Sequence, residues 1–326
     1  MSTEHFDDKG SPIDKGARIY VAGHRGMVGS AIVRALKQRG LDDPIAFTSS
    51  ELDLRDPTAV QRMMDRERPT HVYLAAAKVG GIKANADAPA DFIFDNLMIE
   101  TSVIRAAHLT GVSKLLFLGS SCIYPKVTAQ PITEGQLMTG ALEPTNAPYA
   151  LAKIAGIELC KAHRKQHGAN FISAMPTNLY GPGDNYHPTG SHVIPALIRK
   201  FHKAALSGAP AVDCWGSGTP RREFLHVDDL AEACLFLMDV YNGEEHVNVG
   251  TGVDMSILEL AEMIAKLTGF SGEICWDSSQ PDGTMRKQLD CSRIHAMGWH
   301  HQVELEAGLR AVIDDYAARP DEARSK

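Results

Sequence analysis

The stretch "RIYVAGHRGMVGSAIVRALKQRG", Arg18 to Gly40, decides the fold. Its first part, "RIYVAG", is an apolar run of strand length, and "MVGSAIVRALKQRG" carries helical periodicity that stops at Gly40. Between them stand Gly23, Gly26 and Gly29. Glycine there permits a tight turn and lets the backbone approach a pyrophosphate seated on the helix N-terminus. The spacing is Gly-x-x-Gly-x-x-Gly, and the plain alternative is a simple helix-start turn. Its position after the first strand favours a dinucleotide, with Met27 and Val28 offering backbone amides beside the glycines.

Outward from this unit the rhythm repeats. "PIAFT" (Pro44 to Thr48) reads as a second strand. A helix over 57–68 follows, with Asp56 as N-cap and Pro57 at its first position. "HVYLAAA", a long helix from Asp91 to Thr110, "KLLFLG", a helix over 148–167 and "NFISAM" continue the alternation. This predicts an α/β fold: a Rossmann-type, doubly wound parallel sheet with right-handed crossovers. After Met175 the rhythm breaks into Pro, Gly and His, with helices expected near 193–206, 256–267 and 303–317 and a strand in "EEHVNVG". The expected division is a loose tail over 1–15 and a dinucleotide-binding domain over 16–175 plus about 222–250. A smaller substrate-binding lobe takes about 176–221 plus 251–326.

Composition narrows the function classes. The 326 residues are 44% hydrophobic and 22% charged, with net charge −7, which argues against nucleic acid as the main partner. No signal peptide or membrane span is read in the sequence. The six cysteines are scattered without a Cys-x-x-Cys pair, which fits reduced thiols in the cytoplasm and no metal.

The end of the second strand, "FTSS", lacks the acid that holds a ribose 2′-hydroxyl in NAD sites. Arg25, inside the glycine turn, suits a 2′-phosphate, with Ser49 and Ser50 as added donors, so NADP(H) is the expected cofactor. The alternative has Arg25 solvated and Glu51 on the ribose; Asp53 is assigned to the adenine edge. "PYALAK" puts Tyr149 and Lys153 four apart on one helix face. With Ser120 at the end of "KLLFLG", they form a candidate set for acid–base chemistry at a carbonyl, in which an ammonium lowers the phenol's proton affinity.

At this point the chain resembles the extended short-chain dehydrogenase/reductases. "AGHRGMVGSAI", "AAAKVGGI", "GSSCIYP", "LEPTNAPYALAKIAG", "MPTNLYGPGDNYHP", "SHVIPALI" and "WGSGTPRREFLHVDD" resemble, more narrowly, the GDP-L-fucose synthase family. The resemblance implies epimerisation of a GDP-4-keto-6-deoxy sugar at C3 and C5, then reduction of C4 with NADPH. Inversion beside a ketone needs a base on one face and an acid on the other. Cys122, next to Ser120 and Ser121, is the candidate base and requires a positive or hydrogen-bonding neighbour. His192 is the implied acid, with His187 as a competitor that shapes its loop. Ser120 is expected to orient the C4 oxygen, Tyr149 to protonate it, and Lys153 to hold the ribose. Pro176, Asn178, Leu179 and His192 are carried over as cofactor neighbours, and Asn178 has the alternative of bracing its loop.

For the GDP-sugar, the resemblance points to Lys200, Trp215, Arg222 and Asp282. Trp215 has the alternative of being core, and Arg221 that of a solvated neighbour. His226 and Asp228 read as structural, Asp228 capping a helix from Asp229. The resemblance also implies a homodimer through the helices at Asp91–Thr110 and Pro148–His167. Two other functions stay open: a nucleotide-sugar 4-epimerase that retains NAD, and a non-catalytic NADP-sensing protein.

Overall fold

The computed structural model describes residues 12–188, 190–280 and 282–319. The tail expected over 1–15 falls outside them up to residue 11. Ile13, inside that expected tail, packs against the main core and donates its amide to Asp239 at 3.1 Å.

The chain opens with β1 (Ile19–Ala22) and α1 (Met27–Gln38), then α2 (Pro57–Glu67), β2 (His71–Leu74), α3 (Ile82–Asp87) and α4 (Pro89–Thr110). Next come β3 (Lys114–Leu118), α5 (Ala147–His167), β4 (Phe171–Pro176), β5 (Asn178–Tyr180) and α6 (Val193–Ser207). They are followed by β6 (Ala211–Trp215), β7 (Arg221–His226), α7 (Val227–Val240), β8 (Val247–Val249) and β9 (Asp254–Ser256). The last are α8 (Ile257–Thr268), β10 (Glu273–Asp277), β11 (Arg286–Lys287), α9 (Ser292–Met297) and α10 (Leu305–Ala318).

The main sheet is parallel in the order β1-β2-β3-β4-β8. Both faces are covered, so its strands are apolar runs: every residue of β1, β3 and β4 is buried. Local signals set the helix ends. Asp56 accepts the amides of Thr58 and Ala59 at 2.8 and 3.0 Å ahead of Pro57, and α4 and α5 stop at Gly111 and Gly168 in the left-handed region.

The strand expected at "PIAFT" shrinks to one parallel bridge, Ile45 to Tyr20, beside β1. Pro44 has no amide to give, Asp43 is left-handed, and Thr48 turns away to bond Glu51. Asp228 does not cap α7: the helix starts at Val227, and the Nδ1 of His226 accepts the Asp228 amide at 3.3 Å. Asp228 pairs instead with Arg34.

Two apolar cores form. The first fills the main sheet and its helices; the second gathers α6, α8, α10, β6 and Phe224. Leu289, Cys291, Ile294 and Trp299 belong to the first core, so the stretch expected to lie wholly in the smaller lobe is shared between the two. Glu223, fully buried on β7, ties these segments by accepting the amides of Leu289 and Gly252 at 2.8 and 2.7 Å. Among the described residues no helix is long and apolar enough to cross a membrane.

Candidate active site

The glycine turn is built for close approach. Gly23 has φ +88°, and its carbonyl accepts the Gly26 amide at 2.8 Å. A Cβ on Gly29 would lie 2.1 Å from that same oxygen. Gly26 caps α1 without a side-chain bond, and the first turn, Met27 and Val28 included, holds no acid. Its amides therefore face outward as an anion cradle. Arg25 is exposed beside it.

Glu51 accepts both the amide and the hydroxyl of Thr48 at 2.7 Å, which holds its carboxyl below the usual range and occupies it locally. That weighs against Glu51 reaching a ribose. Ser49 and Ser50 are exposed, and Ser50 shares a 2.9 Å hydrogen bond with Thr48. Asp53 is gripped by Arg55, whose Nε and Nη2 lie at 3.0 and 2.9 Å. Pro176 closes β4, buried; Asn178 and Leu179, half-buried, start β5. The Asn178 Nδ2 donates to the Glu223 carbonyl at 2.9 Å, which braces β5 against β7.

β3 ends at Leu118, and the chain turns into a short 3₁₀ segment over Ser121–Ile123. The Ser120 hydroxyl caps it, accepting the Cys122 amide at 3.3 Å, and it also bonds the phenol of Tyr149. Burial, then the nearby Cys122 and Glu100, push that phenol well up, against which the Ser120 bond works. Below the segment, Tyr124 donates to Asn248 at 2.5 Å and contacts His246 at 3.0 Å, anchoring the loop to β8.

Lys153 departs from expectation. Its ammonium meets the Glu100 carboxylate at 2.8 Å, the two side chains only 1% and 0% exposed. Burial pushes Glu100 up and Lys153 draws it back. The phenol accordingly lies above its ordinary range, where the sequence suggested an ammonium lowering it.

Two groups face the Cys122 sulfur: the Asn146 amide nitrogen at 3.4 Å and the Lys287 ammonium at 3.8 Å. Lys287 lies on β11, in register with Arg222 on β7. His192 caps α6 and reaches solvent, yet enough protein surrounds it that desolvation, then Lys287, holds its imidazole below the usual range. Burial also lowers Arg222, and Cys122 and Asp282 pull it back up, which puts all three within electrostatic reach. The structure thus brings Ser120, Cys122, Tyr149, His192, Arg222 and Lys287 to one cleft. His187 instead closes its own loop, its Nδ1 accepting the Gly190 amide at 3.2 Å.

Farther along, Trp215 is 55% exposed and so is not core. The Lys200 ammonium sits 5.8 Å from its ring and donates to the Asp213 carbonyl at 2.7 Å. Both oxygens of Asp282 accept from Ser217, at 2.7 and 2.9 Å, clasping the turn that carries Trp215. Arg221 is not merely solvated; it pairs with Asp254 at 3.0 Å.

Sequence reasoning missed Glu100, Asn146 and Lys287. Glu100 had a faint signal: with Asn96 it makes an i, i+4 polar pair inside an otherwise apolar helix stretch. Asn146 precedes Pro148 as the α5 N-cap. Lys287 had no signal, because β11 is two residues long and lacks a period to read.

Comparison with known proteins agrees with this geometry. The family model described as NAD dependent epimerase/dehydratase matches residues 19–250. "GDP-L-fucose synthase 1" of Arabidopsis thaliana is 56% identical over 303 residues, covering 93% of this chain and 94% of that protein. "GDP-L-fucose synthase" of Escherichia coli (strain K12) is 54% identical over 316 residues, covering 94% and 98%. The crystal structure of a GDP-L-fucose synthetase from Naegleria fowleri bound to NADP superposes with TM-score 0.89 at 27% identity, covering 97% of this chain and 99% of that one. This chain belongs to the NAD dependent epimerase/dehydratase family and, within it, to the GDP-L-fucose synthase family.

Proposed function

We propose that the protein converts GDP-4-keto-6-deoxy-D-mannose to GDP-L-fucose by epimerisation at C3 and C5 followed by NADPH-dependent reduction at C4. One observation carries the reading: a cysteine sulfur faced by an ammonium and an amide, in the cleft that also holds the Ser120–Tyr149 pair. A 4-epimerase that retains its NAD has no use for a thiolate there, and a sensor has no use for the acid pair.

The glycine cradle, the acid-free first turn of α1 and Arg25 fit NADP(H), which supplies the hydride for C4 when bound. In this reading Cys122, as thiolate, takes the proton from C3 or C5, which the neighbouring ketone acidifies. The negative charge spreads to the C4 oxygen, where the Ser120 hydroxyl receives it. His192, as imidazolium, delivers a proton to the opposite face, so each inversion leaves a thiol and a neutral imidazole. Solvent access at His192 returns its proton, and the thiol loses its own to water before the next inversion. After the second inversion, Tyr149 protonates the C4 oxygen; its raised range keeps it protonated and ready. Arg222 and Lys200 take the diphosphate, Trp215 offers a face to the base, and Asp282 acts by holding the Trp215 turn.

A homodimer through α4 and α5 fits the exposed Phe94, Leu109 and Leu151 on those helices. Six free cysteines fit a reducing cytoplasm.

The test is proton exchange. In deuterated water with the keto sugar, the parent should place deuterium at C3 and C5 and consume one NADPH per product. Cys122→Ser should lose at least a hundredfold in that exchange while still binding NADPH. Exchange at the parent's rate in Cys122→Ser, or turnover without net NADPH use, sinks the reading.

A further inference from the structure

The geometry points to a divalent metal site, of the zinc class, formed by His108, His163 and His167 where α4 and α5 end. It lies apart from the cleft: His163 is about 21 Å along α5 from Tyr149 at the rise of an α-helix. The expectation of no metal rested on cysteine spacing. Here the donors are imidazoles from two helices, and only packing brings them together.

His163 and His167 sit one turn apart on α5, the i, i+4 spacing that aims two side chains at one point. His108, in the last turn of α4, reaches across from the neighbouring helix. The three ligand nitrogens all lie within 4.8 Å of one another. Tetrahedral zinc needs them about 3.4 Å apart at ordinary Zn–N distances, so ring rotation closes the set. The rings already cluster, with His108 to His167 at 4.2 Å and His108 to His163 at 4.7 Å between centroids.

The Nδ1 of His163 is buried and has no hydrogen-bond partner among the described residues. An idle buried nitrogen costs free energy unless something binds it. Arg105 acts against a cation here. In the last turn of α5, which also carries Lys165, Arg164 turns its guanidinium to Asn170 at 2.7 Å. The carbonyl ends of two helices face the same region and favour positive charge. His167 is exposed, which leaves the fourth position to water, the three-histidine-plus-water pattern of open zinc sites.

The probe is zinc ion alone, added to the full-length protein in metal-free buffer and followed by equilibrium dialysis with elemental analysis. The parent should retain one zinc per chain and show a higher thermal midpoint with zinc than without. His167→Asn and His108→Asn should each weaken retention at least tenfold and abolish the zinc-dependent rise, while NADPH consumption with the keto sugar stays at the parent's level. That activity shows the variants are folded. Failure of the parent to retain zinc overturns the site. So does retention unchanged in both variants, which would put the ion elsewhere, for instance on Cys122.

Discussion

The two walls of the cleft are built differently. One wall carries Ser120, Cys122 and Tyr149 on the end of β3 and the start of α5, over a fully buried sheet. The other carries His192, Arg222 and Lys287 at the mouth of a helix and on short strands outside that sheet. The first wall is anchored through buried polar groups: Lys153 to Glu100, and Tyr124 to Asn248 and His246. The second is open to solvent at His192 and Trp215. The contrast matches the two halves of the proposed chemistry. Reduction needs one fixed geometry between hydroxyls and a ketone, whereas epimerisation needs a proton donor that water can recharge twice per turnover.

The largest expected effect separates the halves. Tyr149→Phe removes the proton donor for reduction and should lower NADPH oxidation by about 10²–10⁴-fold. Deuterium exchange at C3 and C5 should stay within a few-fold of the parent, since Cys122 and His192 are intact. Equal loss in both measurements would show that the walls do not divide the work.

The same contrast explains what the sequence shows. Strands buried on both faces read as apolar runs, and Gly111 and Gly168 punctuate the long helices, so the first wall is legible from Arg18 to Pro176. Ser120, Cys122, Tyr149 and Lys153 sit at ends of those elements, where motif and position reinforce each other. The second wall rests on β5, β7, β9 and β11, of two to six residues. Elements that short carry no period, and their pairing is set by distant partners, as when Arg286 and Lys287 join Arg221 and Arg222. Lys287 was therefore invisible, although the need for a positive or hydrogen-bonding neighbour beside Cys122 was not. The Lys153–Glu100 pair was missed for another reason: it joins two helices whose relative rotation only packing decides.

Acid should attack the first wall through its anchor. The single hydroxyl proton of Tyr124 goes to Asn248, so the His246 Nε2 donates to Tyr124 and its Nδ1 is the bare nitrogen, buried and without a partner among the described residues. Burial drives His246 down to about 4. The unfolded chain binds this proton below about pH 6.5 and the folded protein only near pH 4, so stability rises with pH across that window and is level above it. Acidification from pH 7 to 4 should cost roughly 3 kcal/mol at this residue, about a hundredfold in the folding equilibrium. Urea midpoints measured across the window should fall more steeply in the parent than in His246→Asn. Parallel slopes would remove His246 from the anchor.

The smallest effect tests the point where the walls meet. Lys287 belongs to the second wall yet places its ammonium 3.8 Å from the sulfur of the first, and the same charge lowers His192. One cation thus stands beside the base and loosens the proton held by the acid. Lys287→Met should slow C3 and C5 exchange about tenfold, with Lys287→Arg recovering most of it, since a charge pair of this kind contributes on the order of 1–2 kcal/mol. A purely structural loss would also reduce the rate, so the titration of His192 decides. Without the ammonium, the His192 ring, followed by NMR, should titrate at higher pH. The midpoint moves upward because removing a positive charge makes the imidazole hold its proton more tightly. A rate loss with that midpoint unmoved would mean that Lys287 serves the backbone of β11 rather than the chemistry across the cleft.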